Sequence, residues 1–115
     1  MPILTFKDLC LDVSSRERME PFWAAVLGYE QVRGSGGSTY LRSSTSGLVV
    51  WVNEVPEPKT AKNRAHIDFD AGDMETEVER LVGLGGSVVA RHNLGDFRWT
   101  IVADPEGNEF CVTIR

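Results

Sequence analysis

One arrangement, a strand, a helix and then three strands, is written twice along this chain, and it limits the fold more than any other feature of the sequence. In the first copy, Leu4 to Val13 alternates polar and apolar residues, with Leu9, Leu11 and Val13 on one face and Asp8, Cys10 and Asp12 on the other. That period of two predicts a strand. Ser14 with Glu17 forms a capping-box signal for a helix whose apolar stripe is Met19, Phe22, Trp23, Val26 and Leu27, ended by Gly28. Pro21 lies inside that stripe, so a late helix start or a bend is expected there. Extended segments follow at about 29–33, 38–43 and 47–53, separated by the turn-forming stretches GSGGS and SSTSG.

A connector, VPEPKTAKNRA, precedes the second copy. Ala65 to Ala71 alternates again, with Ile67 and Phe69 on one side and His66, Asp68 and Asp70 on the other. Asp73 caps a second helix bearing Met74, Val78, Leu81 and Val82, closed by Gly85-Gly86, and strands are expected near 87–91, 97–103 and 108–114. The copies overlay at an offset of about 57–60 residues, DLCLDV on HIDFDA, VLGYE on LGGSV and SGLVVW on EGNEFC, a repeat of architecture and glycine placement more than of identity. The prediction is an α+β fold of two βαβββ modules, about 1–55 and about 65–115 with a connector at about 56–64, in one domain spanning 1–115. Each helix covers one sheet face, and two bare faces curved toward each other would form a shared cavity for a small molecule.

Composition narrows the partners. Seventeen acidic against twelve basic residues leave a net charge of −5, with no gathering of Lys and Arg, so nucleic acid and anionic membrane are not expected. The longest apolar run, Leu48 to Val52, is far short of a membrane span, and the N-terminal stretch shows no export signal, so a cytoplasmic location is expected. The two cysteines, Cys10 and Cys111, read as free thiols, and there are too few ligands for a four-ligand structural zinc.

Three segments, FWAAVLGYE at 22–30, PEPKTAKNRAHIDFD at 56–70 and FRWTIVADPEGNEFCV at 97–112, resemble small glyoxalase-like proteins of the vicinal oxygen chelate superfamily, the glyoxalase, bleomycin-resistance and extradiol-dioxygenase group. The DPEGNEFCV ending is the most specific of them. The resemblance implies a mixed sheet in each module, a homodimer, and four ligand positions on the first and last strands of the modules. These positions fall on Asp8, Trp51, His66 and Cys111. Metal-binding members present His, Gln or Glu there, so Trp51 removes one ligand and Cys111 replaces a carboxylate.

Period two places Asp8, His66 and Cys111 opposite Leu9, Ile67 and Phe110, on the cavity side. His66 beside Asp8 or Asp68 is a candidate general base, because imidazole titrates near neutrality and a carboxylate orients it. Cys111 would be a nucleophile only with a stabilised thiolate, and a packed thiol is the simpler reading. Trp51 offers a flat apolar wall for stacking, whereas Trp23 belongs to the helix stripe and the core. The facings of Trp99, Tyr40 and Phe97 are left open by the sequence. Lys59, Lys62 and Arg64 either meet an anionic ligand or pair with Glu54 and Glu57, and Gly34 to Gly37 reads as a hairpin turn rather than a phosphate cradle. The expected function is binding of a small aromatic or conjugated metabolite by Asp8, Trp51, His66 and Cys111, with no cofactor and no metal. The competing expectation is a lyase, isomerase or dioxygenase in which Asp8, His66 and Cys111 hold iron, nickel or zinc against a substrate with neighbouring oxygens.

Overall fold

The computed structural model describes residues 3–34 and 39–114, and the chain divides into two compact units, Met1–Pro58 and Lys59–Arg115. The first unit runs β1 (Leu9–Val13), α1 (Arg16–Leu27), β2 (Glu30–Arg33), β3 (Thr39–Arg42) and β4 (Val49–Glu54). Its sheet has the order β1-β4-β3-β2, with β1 parallel to β4 and the other pairs antiparallel. The second unit runs β5 (Asp68–Asp70), α2 (Met74–Gly83), β6 (Ser87–Leu94), β7 (Phe97–Ala103) and β8 (Glu109–Ile114), and its sheet repeats the order as β5-β8-β7-β6. The α+β plan of two βαβββ modules with mixed sheets is therefore present.

The first strand is shorter than the alternation predicted. Its parallel partner β4 supplies ladder positions only from Val50 to Glu54, opposite Leu9 to Val13, so the alternation upstream has no ladder to join. Leu4 and Phe6 are left 89% and 76% exposed. β5 is likewise short, Asp68–Asp70 opposite Cys111 to Thr113 of β8, and His66 stands just before it. In β6 the difference has the opposite sign: a hairpin turning at Gly95 and Asp96 pairs Leu94 with Phe97 and carries the strand beyond residue 91.

In α1 the cap is Ser15, one residue later than the capping box suggested, and its hydroxyl accepts from the Arg18 N–H at 3.3 Å. The expected late start is not seen: the helix begins at Arg16 and runs through Pro21. Burial of Met19, Phe22 and Trp23 against the sheet offsets the backbone bond that Pro21 cannot make. Gly28 closes the helix at φ 68°, a left-handed conformation that glycine adopts without strain, as Tyr29 N–H donates to Ala24 C=O at 3.0 Å.

In α2 the buried stripe is Met74, Val78 and Leu81, while Val82, expected on it, is 47% exposed because it is turned about 100° from Leu81 around the helix. The cap is Asp73 as expected, accepting from Thr76 N–H at 3.1 Å. Hydrogen bonds from the Thr76 backbone hold its carboxyl below the usual 3.8. A depressed carboxyl contributes its stability in full above the unfolded pKa and loses it as the pH falls through the lower folded value. Far-UV circular dichroism from about pH 5 to about pH 2 is expected to show an acid-dependent loss of helix that Asp73→Asn, a neutral cap, reduces. An identical acid profile in the variant would count against it.

The helix-side faces are the cores of the units: Val13, Leu41, Val50 and Val52 with Trp23 in the first, and Thr100, Val102, Phe110 and Val112 with Met74 and Leu81 in the second. Alternation along β4, β7 and β8 then turns Trp51, Trp99 and Cys111 to the opposite faces.

Candidate functional site

On the face of the second sheet turned away from α2, cross-strand pairing sets Trp99 beside Thr113 on one side and His92 on the other, while Cys111 lies opposite Asp68 and Ile101. His92, Trp99 and Phe97 form a ladder of near-parallel rings. The His92 and Trp99 centroids are 4.9 Å apart at 22°, and those of Trp99 and Phe97 are 5.2 Å apart at 27°. Beside it is a pocket of about 320 Å³ lined by His66, Asp68, Phe97, Trp99, Cys111 and Thr113. Its volume falls at the small end of ligand sites.

Asp68 is the hub of the pocket's polar end. Its Oδ1 is 3.4 Å from His66 Nε2, and across the β5–β8 pair it lies opposite Cys111. Nitrogen, oxygen and sulfur ligand atoms of His66, Asp68 and Cys111 all lie within 4.8 Å of one another. Burial, and then the charge of Asp68, push the Cys111 thiol up to about 11. Without a cation it is a thiol, in line with a packed rather than nucleophilic cysteine. The Thr113 hydroxyl is 2.9 Å from Phe69 C=O and 3.0 Å from Asp70 Oδ1, so its proton is turned to its own strand neighbours.

The first sheet brings together the other two expected residues. Trp51 Nε1–H donates to Asp8 Oδ2 at 3.0 Å, and the Trp51 ring meets Tyr40 at 4.8 Å and 48°. Asp8 and Trp51 are thus partners within the first unit, and His66 and Cys111 both neighbour Asp68 within the second. Cys10 and Cys111 are both free. Of the connector cations, Lys62 pairs with Glu109 at 2.9 Å, not with Glu54 or Glu57, and Lys59 Nζ donates to Ala61 C=O. Of the expected turn at Gly34 to Gly37, residues 35–37 lie outside the described residues.

Sequence reasoning left Trp99 and Phe97 unassigned and did not weigh His92. The signal was present in the hairpin: once Cys111 faces the cavity side, the register across the DPEGN turn puts Ile101 and then Trp99 on the same face.

The donor set does not fit the divalent ion that the superfamily holds at its four positions. An indole nitrogen keeps its lone pair in the ring, and the Trp51 N–H is spent on Asp8, so one position is closed and a second is tied to it. No step is routed through such an ion.

The repeated βαβββ sheets with a ring-walled pocket on a bare face define a glyoxalase-like protein class. The profile of the glyoxalase-like domain family matches residues 8–113, and the chain belongs to that family. No curated protein matches the chain. Among solved structures, fosfomycin resistance protein FosX from Mesorhizobium loti is 18% identical with a TM-score of 0.76, covering 99% of this chain and 94% of that one. A glyoxalase-related enzyme from Fulvimarina pelagi is 15% identical with a TM-score of 0.74, covering 98% and 89%. A member of the glyoxalase/bleomycin resistance protein/dioxygenase superfamily from Sphaerobacter thermophilus is 17% identical with a TM-score of 0.72, covering 98% of both chains. At these identities the likeness is one of fold.

Proposed function

We propose that this protein binds a small aromatic or conjugated metabolite, without an essential metal, as a cytoplasmic homodimer with neither nucleic acid nor membrane as partner. The observation that carries the reading is the pocket of about 320 Å³ whose wall is the Trp99–Phe97 pair. A flat ligand continues that ladder by offset stacking, while His66 and Asp68 offer polar contacts at the other end. Cys111 adds a soft, mostly buried floor. Trp51, braced by Asp8 and Tyr40, is a second aromatic wall on the first sheet. No described helix is long and apolar enough to cross a membrane.

Titration with 1-naphthol, followed by tryptophan fluorescence in the presence of chelator, tests the reading. Trp99→Ala is expected to weaken binding roughly tenfold, from the lost ring contact and its buried area. Unchanged affinity in Trp99→Ala rejects the ladder as the site. An affinity lost only in Trp51→Ala moves the site to the first sheet.

A metal-free enzymatic reading with His66 as general base is favoured by one observation, the His66–Asp68 pair 3.4 Å apart at the pocket. Turnover of a substrate with neighbouring oxygens that disappears in His66→Ala would support it over simple binding.

A further inference from the structure

We propose that the first unit carries a binding site of its own, for a small zwitterion with an ammonium and a carboxylate on one short aliphatic chain, in a polar cleft between α1 and the β2 edge of its sheet. The cleft has a volume of about 290 Å³. It lies on the sheet face that α1 covers, not on the ring-bearing face of the second unit, so it does not rest on the ligand reading above.

The space between a helix and a sheet is ordinarily filled by apolar side chains. Here the strand register brings polar ones into it. Gln31 is paired with Leu41 and Arg33 with Thr39, so all four share the helix-side face, on which Leu41 is fully buried. Across the cleft stand Arg16, Glu17, Glu20 and Pro21, neighbours on one face of the first turns of α1. Glu20 is 8% exposed and Thr39 7%, and they form the floor, where the Thr39 hydroxyl donates to Glu20 Oε2 at 2.5 Å. A carboxylate accepts several bonds, so one hydroxyl leaves Glu20 with capacity for a further donor. The helix backbone supplies a second acceptor, because Pro21 has no N–H for the Glu17 carbonyl four residues earlier. An ammonium, with three donors, suits both.

The opposite charge is served at the same cleft. Arg16 Nε is buried with no hydrogen-bond partner, the single such side-chain nitrogen or oxygen among the described residues. The Arg16 backbone N–H donates to Glu54 Oε1 at 2.9 Å, which anchors the residue at the start of α1 while its guanidinium nitrogen stays unpaired. Buried donors in folded proteins are almost always paired, so this one marks a place for an acceptor. Arg33, exposed at the rim, adds a second guanidinium, the group that grips a carboxylate with two parallel bonds. Two arginines and two glutamates give the lining no net formal charge, which matches a ligand of both signs better than a lone anion or cation. Among the described residues no aromatic side chain lines the cleft, so a flat ligand has nothing to stack on.

Amide chemical-shift titration of the full chain is the test, with L-alanine and β-alanine as probes and propionate and ethylammonium as their two halves. At least one of the zwitterions is expected to give saturable shifts in the first turns of α1 and in β2, with a Kd of about 1 mM or below. Each half should bind about tenfold more weakly, having lost one set of charge-assisted bonds. Glu20→Gln, which keeps an acceptor for Thr39, and Arg33→Gln are each expected to weaken the zwitterion about tenfold. Arg33 is exposed, so its variant and the two halves decide the matter should Glu20→Gln fail to fold. Trp99→Ala should leave the shifts unchanged. The proposal is overturned by the absence of saturable shifts, by either half binding as tightly as the whole, by an affinity that survives both charge substitutions, or by shifts centred on β7 and β8 that vanish in Trp99→Ala.

Discussion

Phe110→Ala is expected to lower the unfolding free energy by about 3–5 kcal/mol, the largest effect of any change considered for this protein. Phe110 is 1% exposed on the α2 side of β8, with its ring edge-on to Phe69 at 5.8 Å and 86°. Truncation removes the apolar area of the ring and leaves a cavity that the paired strands β5, β7 and β8 resist closing. A domain of this size has a total stability of roughly 6–15 kcal/mol, so the loss is a large share of the whole. Because Phe110 and Cys111 are adjacent on one strand, their side chains leave by opposite faces. Phe110→Leu, which restores most of the volume, is therefore expected to recover most of the stability and leave the Trp99 pocket intact. Equilibrium denaturation with tryptophan fluorescence measures this, and a loss under about 1 kcal/mol for Phe110→Ala would contradict the core placement.

Asp104→Ala is expected to cost about 3 kcal/mol, through the turn rather than the core. This carboxylate is 3% exposed, and its Oδ1 accepts from the backbone N–H groups of Glu106 and Asn108, each at 2.9 Å. Its Oδ2 accepts from Asn108 Nδ2 at 3.0 Å. The backbone closes the same turn, with Asp104 N–H donating to Asn108 C=O at 2.8 Å and Gly107 N–H to Asp104 C=O at 2.9 Å. Gly107 makes the return at φ 93°, where a side chain would be strained. The most specific motif of the sequence, DPEGN, is therefore a device that sets the register of β7 against β8, and with it the pairing of Trp99 with Thr113 and of Ile101 with Cys111. Asp104→Asn keeps acceptor capacity but gives up charge, so a smaller loss is expected. Hydrogen exchange on β7 and β8 amides should rise in Asp104→Ala, and unchanged protection would show that the backbone bonds suffice.

Elements whose signal is local were readable from the sequence. The stretch at 97–103 is β7 residue for residue, Asp73 is a cap because a short acceptor before an apolar stripe has few other uses, and Trp23 is core because it lies on the stripe of α1. Strand lengths were less readable. Alternation in Leu4–Val13 and Ala65–Ala71 says which way side chains would point, but a strand extends only as far as its ladder does, and β1 and β5 pair over only part of those spans. Pro21 misled for a related reason: propensity argues against its place in α1, and burial of Phe22 and Trp23 outweighs it.

Of the candidate site, the sequence alone determined the residue types, the period-two facing of Asp8, His66 and Cys111, and the two-copy plan, since these follow from chain-local geometry and glycine turns. Only the tertiary structure decided which groups meet. It paired Trp51 with Asp8, made Asp68 the neighbour of both His66 and Cys111, and laid His92, Trp99 and Phe97 ring on ring. The Trp51–Asp8 and Asp68–Cys111 contacts join residues dozens of positions apart, and these and the more local ring ladder depend on inter-strand register, where a slip of one residue turns every side chain to the other face.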